Sequence, residues 1–342
     1  MKNIRNAFCG LALCFVIASA AWQLGMLVPV VGGAMFSLLI GMAVSLAIPD
    51  KTPFVPGLRF VSKRVLQWAV ILLGFGLDLT VVLQTGRESL PIIITTITTA
   101  LVLAAVFSRV LGIQNNVAVL IGVGSSICGG SAIAATSPVI HADDSEVAQS
   151  ISVIFFFNAL AALVFPSLGA ALGFSTVDGH AFGLFAGTAV NDTSSVTAAA
   201  STWDSMWALG SDTLDVAVTV KLTRTLAIIP ITLVLSFIQT RKGGGSKTSL
   251  SLKNIFPYFI LLFIAASLIT TVAVAAGAGT AFFTPFKTLS KFMIVLAVAA
   301  IGVNTNIVEL VRTGKKPLLL GFICWVGIST VSILMQRALN LM

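Results

Sequence analysis

Eleven mostly apolar stretches follow one another along the chain, at 7–30, 33–48, 63–84, 90–110, 117–138, 147–172, 181–200, 214–238, 255–277, 287–310 and 317–340. This patterning constrains the fold more than any motif. A helix of about 20 apolar residues crosses the hydrocarbon of a bilayer, and inside lipid every backbone N–H and C=O needs a partner within the protein. Successive runs of that length predict an all-α polytopic membrane protein with about 11 transmembrane helices. Composition agrees: 57% of the residues are hydrophobic and 9% charged, where a soluble domain carries roughly a quarter charged. No segment is long and polar enough for a separate soluble domain.

The net charge of +8 does not point to nucleic acid, because of where the charges fall. Segments 49–62, 239–254 and 311–316 are basic, whereas 139–146 and 201–213 hold Asp143, Asp144, Glu146, Asp204 and Asp212 without Lys or Arg. Basic loops stay on the cytoplasmic side, so the threading predicts a cytoplasmic N-terminus and an outside C-terminus. The start, "MKNIRNAFCGLALCFVIASAAWQ", has the form of a signal peptide, but the apolar run continues to Val31 and favours a retained first helix. Cys9, Cys14, Cys128 and Cys324 lie in apolar stretches and His141 and His180 in loops, so neither a disulfide framework, a metal site nor a cofactor is expected.

Two pairs of words suggest an internal repeat. "FSLLIGMAV" (36–44) resembles "FGLFAGTAV" (182–190), and "IGVGSSI" (121–127) resembles "IGVNTNI" (301–307). They pair the second span with the seventh and the fifth with the tenth. Partners an odd number of spans apart point oppositely through the membrane, which is the arithmetic of an inverted repeat. The expected organisation is a five-plus-five inverted repeat, 33–172 and 181–342, with an extra helix at 1–32. A rival match of 62–78 with 290–306 fits no such scheme.

Polar interruptions mark the candidate site. The fifth span carries Gly122, Gly124, Gly129 and Gly130 among Ser125, Ser126, Cys128 and Ser131, and the tenth carries Asn304, Thr305 and Asn306. An interrupted helix survives in a membrane only where protein or a wet cavity satisfies its backbone. Two broken helices at matching points of two inverted halves indicate a midplane site, with half-helix N-termini offered to an anion. Close packing through small residues competes with that reading for the fifth span. The seventh span holds Asn191, Asp192, Thr193 and Ser194, where Asp192 could carry a proton or coupling cation, or partner a buried base. Lys221 and Arg224, three apart on one face of the eighth span, could hold an anion or pair with Asp192. Trp68, Trp203 and Trp207 read as interfacial anchors or lipid-facing bulk.

The stretches "GVGSSICGGSAIAATSPVI" (122–140), "GTAVNDTSSVTAAA" (187–200), "KLTRTLAIIP" (221–230) and "TGKKPLL" (313–319) resemble the YeiH-type family of bacterial inner-membrane proteins, named for sulfate export. The resemblance implies the bacterial cytoplasmic membrane and a place in the cation/proton antiporter and anion transporter superfamily. There a core of crossed broken helices moves against a panel. Many members have a His followed by an acid where this chain has Asn191-Asp192, so a His-dependent relay is not implied here.

The resulting expectation is a secondary transporter of a small anion, such as sulfate or a sulfonate, working by alternating access. Ser125, Ser126, Cys128, Gly129, Asn304, Thr305 and Asn306 would bind substrate together with Lys221 and Arg224. Asp192, with Asn191, Thr193 and Ser194, would couple a proton or sodium. Lys221→Met or Arg224→Met would then abolish anion binding in folded protein. The alternative is a sodium/proton antiporter that exchanges cations at Asp192 and Lys221. Catalysis is not expected, because intramembrane protease motifs are incomplete, and no nucleotide-binding Gly-rich motif is present. The bilayer is the expected surrounding, and a homodimer the expected assembly.

Overall fold

The protein is described from a computed structural model over residues 2–28, 32–48, 50–228, 258–278, 280–304 and 314–342, with positions 230, 231, 234, 235 and 237. The described residues form helices and no strand. In chain order they are α1 (Lys2–Leu27), α2 (Gly32–Ala47), α3 (Val55–Phe60), α4 (Leu66–Gly74), α5 (Leu79–Leu111), α6 (Asn115–Ser126) and α7 (Gly130–Thr136). Then come α8 (Asp144–Leu172), α9 (His180–Ala189), α10 (Thr193–Trp207), α11 (Asp212–Thr225), α12 (Tyr258–Ala275), α13 (Thr284–Asn304) and α14 (Lys315–Ala338). A π turn at Val61–Val65 joins α3 to α4.

Among the described residues, six helices are long and apolar enough to cross a membrane: Phe8–Leu27, Leu79–Leu111, Ser145–Leu172, Tyr258–Ala275, Ala281–Asn304 and Lys315–Ala338. The expected spans 117–138 and 181–200 arrive in pieces, because their glycines and polar residues interrupt the helix, and 214–238 is described in full only as far as residue 228. One boundary moves. The sequence places a loop between 84 and 90, yet α5 runs straight through Arg87, Glu88 and Pro91. Asp78 caps its start by accepting from Thr80 N at 2.7 Å, and Gly112 in the left-handed region (φ 60°) ends it. At 1.5 Å per residue the helix is about 50 Å long, well beyond the roughly 30 Å hydrocarbon. Its first turns can therefore stand clear of lipid, which accounts for the charges there.

The helices gather in two groups. In one, α2 lies between α1 and α13, with α3, α4 and α12 alongside. Here Gly41 and Gly302 meet backbone to backbone: a Cβ on Gly302 would come within 2.5 Å of Leu38 O and 2.9 Å of Gly41 Cα. In the other, α5 to α11 pack together with α14. The groups touch where α10 meets α2 and α13, and where α12 meets α5. Lys287 of α13 reaches across to Asp215 of α11 at 3.2 Å.

One seam within the second group fixes the site. Gly179, Gly183 and Gly187 recur every four residues and so share one face of α9, which packs on α11. Cβ atoms there would sit 2.3 Å from Thr213 N, 2.8 Å from Val216 Cβ and 2.7 Å from Val220 Cβ. Small residues at that spacing let helices approach closely in a membrane. The approach brings Lys221 and Arg224 beside the C-terminal end of α9. Trp203 corrects the sequence reading. It is fully buried and stacks on Phe182, with ring centroids 4.1 Å apart, because α10 turns that face inward. Trp68 and Trp207 remain exposed.

Candidate functional site

Two helices stop inside the protein. The first is the fifth span: α6 ends at Ser126, Ile127 leaves helical geometry, and α7 resumes at Gly130. Gly129 makes the turn possible, since its φ of +67° and ψ of −126° suit only a residue without a Cβ. The second is the seventh span: α9 ends at Ala189, Val190 is extended, and α10 starts at Thr193. Asp192 caps α10, accepting from Ser194 N at 3.0 Å and from the Ser194 hydroxyl. A single long helix, α8, separates the two broken spans in the chain, so they run in the same direction.

Each interruption leaves carbonyls without helical partners. Two bases on α11 supply them. Arg224 donates from Nε to Ser126 O at 2.8 Å, from Nη2 to Ser125 O at 2.6 Å and from Nη1 to Thr188 O at 2.6 Å. Longer bonds of 3.4 Å run from Nη1 to Val190 O and from Nη2 to Asn191 Oδ1. A guanidinium has five N–H donors, and all are engaged. Lys221 donates to Ile127 O at 2.5 Å and to Val190 O at 3.2 Å. Both side chains are fully buried. The negative ends of α6 and α9 are thus tied together by two positive charges, as the direction of the helix dipole favours.

The structure gathers Ser125, Ser126, Cys128, Gly129, Asn191, Asp192, Thr193, Ser194, Lys221 and Arg224 at one level. Ser125 and Ser126 offer the bases their carbonyls; the Ser126 hydroxyl turns back to Val123 O at 3.0 Å, and the Ser125 side chain pairs with Cys324 of α14. Cys128 Sγ accepts from the Ser131 hydroxyl at 3.2 Å. Asn304 is not brought here. It sits exposed at the end of α13, which packs chiefly on α2, α4 and α1. Thr305 and Asn306 lie outside the described residues. Among the described residues, the break facing the fifth span is that of the seventh.

Asn158, in the middle of α8, belongs to the site and was missed from sequence. Its Oδ1 accepts from Asn191 N at 3.1 Å, while its Nδ2 is buried without a partner. A lone amide within "FFFNALAAL" (155–163) is the signal that identifies it, since polar groups in a spanning helix are costly unless used.

Interrupted helices fastened by buried bases within a bundle of apolar helices define a polytopic membrane protein with a polar interior centre. The chain belongs to the family described as Conserved hypothetical protein 698, which matches residues 9–321. It is 55% identical to a UPF0324 membrane protein of Streptococcus mutans, covering 97% of both chains. It is 52% identical to one of Fusobacterium nucleatum, covering 99% of this chain and 100% of that one. A UPF0324 membrane protein of Streptococcus pyogenes is 55% identical over 97% of both chains.

Proposed function

We propose that this protein is a secondary transporter that moves a small anion, of the sulfate or sulfonate kind, across the bacterial cytoplasmic membrane by alternating access. The observation that carries the reading is the shared fastening of two interior helix ends by Arg224. Backbone left unwound at membrane depth is stable only where it lines something other than lipid, and transporters place substrate at such points. A buried pair of positive charges beside one carboxylate, Asp192, gives the centre a net positive field. Because the donors of Arg224 are engaged by the protein, Arg224 acts on the anion through that field and by holding the half-helices in place, whereas Lys221 keeps one N–H beyond the two carbonyls it holds. Asp192 is the coupling group. The YeiH-type resemblance adds weight to an anion, and the arrangement of helices in two groups suits movement of one against the other. The five-plus-five organisation of 33–172 and 181–342 and the cytoplasmic N-terminus belong to the same proposal.

Asp192 is also an electrostatic neighbour of Lys221, which favours a second reading, exchange of sodium or protons with no anion. The test for both is counterflow in proteoliposomes with sulfate, sulfite, thiosulfate, taurine and small carboxylates, varying sodium and pH gradients separately. Saturable exchange of an anion supports transport as proposed. Cation-dependent proton flux with no anion exchange would replace it with the second reading.

A further inference from the structure

The positive end of α10 is already occupied, by the chain's own carboxylate. Asp192 accepts from the Ser194 N–H and hydroxyl, the position an external anion would take at a helix N-terminus. Beside it stands a donor with nothing to bond. Asn158 is 2% exposed, and its Nδ2 has no partner. Its orientation is set by the other amide atom, because exchanging the two would lose the bond from Asn191 N to Oδ1. The place where a Cβ on Gly129 would stand lies 3.3 Å from Ile154 Cγ2, 3.4 Å from that Nδ2 and 3.7 Å from Asp192 Cβ. The free donor and the carboxylate therefore flank one spot at the mouth of α7 and α10.

What remains for a ligand follows from what is taken. Every N–H of Arg224 is engaged, and Lys221 holds two carbonyls. Among the described residues, the donors left at this level are the third N–H of Lys221, Asn158 Nδ2 and the first N–H groups of α10, if Asp192 gives them up. A set made of donors selects a ligand bearing acceptor oxygens. Asp192, Thr193 and Gly130 are half-buried and Ser131 is exposed, whereas Asn158, Cys128 and Gly129 are buried, so the spot lies just beneath the surface. The charged and titratable groups facing Asp192 are Lys221 from α11 and Cys128 from the turn between α6 and α7, while Arg224 bonds to the adjacent Asn191.

Building on the transport reading above, we propose that the oxyanion takes the place of the Asp192 carboxylate on α10 and accepts from Asn158 Nδ2, while the displaced Asp192 takes up a proton. Anion and proton then enter together. Two carboxylate-like charges do not share one helix end, and protonation removes one of them. The proton moves from water to an Asp192 oxygen, and no other bond changes.

The test uses the full chain in proteoliposomes with radiolabelled sulfate as the probe. If one proton accompanies the anion, apparent sulfate affinity weakens by about tenfold per pH unit above the titration of Asp192. Asp192→Asn, which still caps a helix, should lose that pH dependence together with proton-driven accumulation. Asn158→Ala should weaken sulfate binding while the pH slope persists; sulfate-induced thermal stabilisation in detergent reports this where flux is too low. An Asp192→Asn protein with the wild-type pH slope overturns the inference and leaves anion transport standing, as does unchanged sulfate affinity in Asn158→Ala. A wild-type protein that neither binds nor exchanges sulfate or the other anions at any pH overturns the transport reading and this inference together.

Discussion

Replacing Arg224 with methionine should damage the fold, not merely the affinity. The side chain is fully buried, and its three short bonds hold the last carbonyls of α6 and α9: Ser126 O at 2.8 Å, Ser125 O at 2.6 Å and Thr188 O at 2.6 Å. Methionine fills much of the volume but offers no donor. Each buried carbonyl left unsatisfied costs about 1–3 kcal/mol, so the change costs roughly 3–9 kcal/mol if none finds a new partner. Whole proteins are stable by only about 5–15 kcal/mol. Water entering beside the half-buried Asp192 would recover part of the loss, which places the expected effect in the lower half of that range. Thermal denaturation in detergent, followed by size-exclusion chromatography, is the assay. A fall in Tm of more than about 5 °C is expected for a chain of this size. Arg224→Lys should fall between, because one ammonium cannot span both helix ends. A methionine variant melting within about 1 °C of wild type would refute the idea that this residue fastens the two breaks. It would also restore the simpler expectation that the base serves only the ligand.

Gly187→Ala should separate α9 from α11, because its Cβ would lie 2.7 Å from Val220 Cβ and 2.8 Å from Ala217 O. Overpacking of that kind costs about 1–3 kcal/mol, and the shift of α11 should also lower anion exchange, measured on the same preparation. Asp143→Ala removes a capping box in which Asp143 Oδ1 accepts from Glu146 N at 2.8 Å and Glu146 Oε2 accepts from Asp143 N at 2.9 Å. The expected cost is about 1 kcal/mol, with Asp143→Asn close to wild type in Tm. Lys287→Met breaks the 3.2 Å contact with Asp215 between the two helix groups. It should raise labelling of a cysteine placed at Ser211 by a membrane-impermeant maleimide, and unchanged labelling would show that the pair does not restrain the groups.

Much of this was legible in the sequence because hydrocarbon imposes a simple rule. Long apolar runs had to be helices, and the glycines and serines of 122–131 could not hold an unbroken one. Asn191 and Asp192 marked a polar point in the seventh span but not that its helix stops there, and the spacing of Lys221 and Arg224 placed both on one face of α11. What failed to show was which interruption faces which. The likeness of 121–127 to 301–307 drew attention to Asn304, which is exposed at the end of α13, while Thr305 and Asn306 lie outside the described residues. The described approach of the bases to the site runs through a glycine seam, Gly179, Gly183 and Gly187, whose meaning depends on the helix opposite. The start of α5 was misplaced because Arg87, Glu88 and Pro91 look like a loop. On a helix longer than the bilayer is thick, they can stand beyond the hydrocarbon without ending it. Trp203 went astray for a related reason: composition tells that an aromatic ring wants apolar company, not whether protein or lipid provides it.

The central claim is that the breaks of the fifth and seventh spans face each other. Native Cys128 provides the means to measure it, in a protein with Cys9, Cys14 and Cys324 replaced by alanine. A second cysteine is placed at Val190 in one protein and at Asn304 in another, each is treated in membranes with a short bifunctional thiol reagent, and linked peptides are found by mass spectrometry. Efficient linkage of Cys128 to position 190, and none to position 304, is the result expected here. Linkage to 304 with none to 190 would contradict the arrangement on which the site is built.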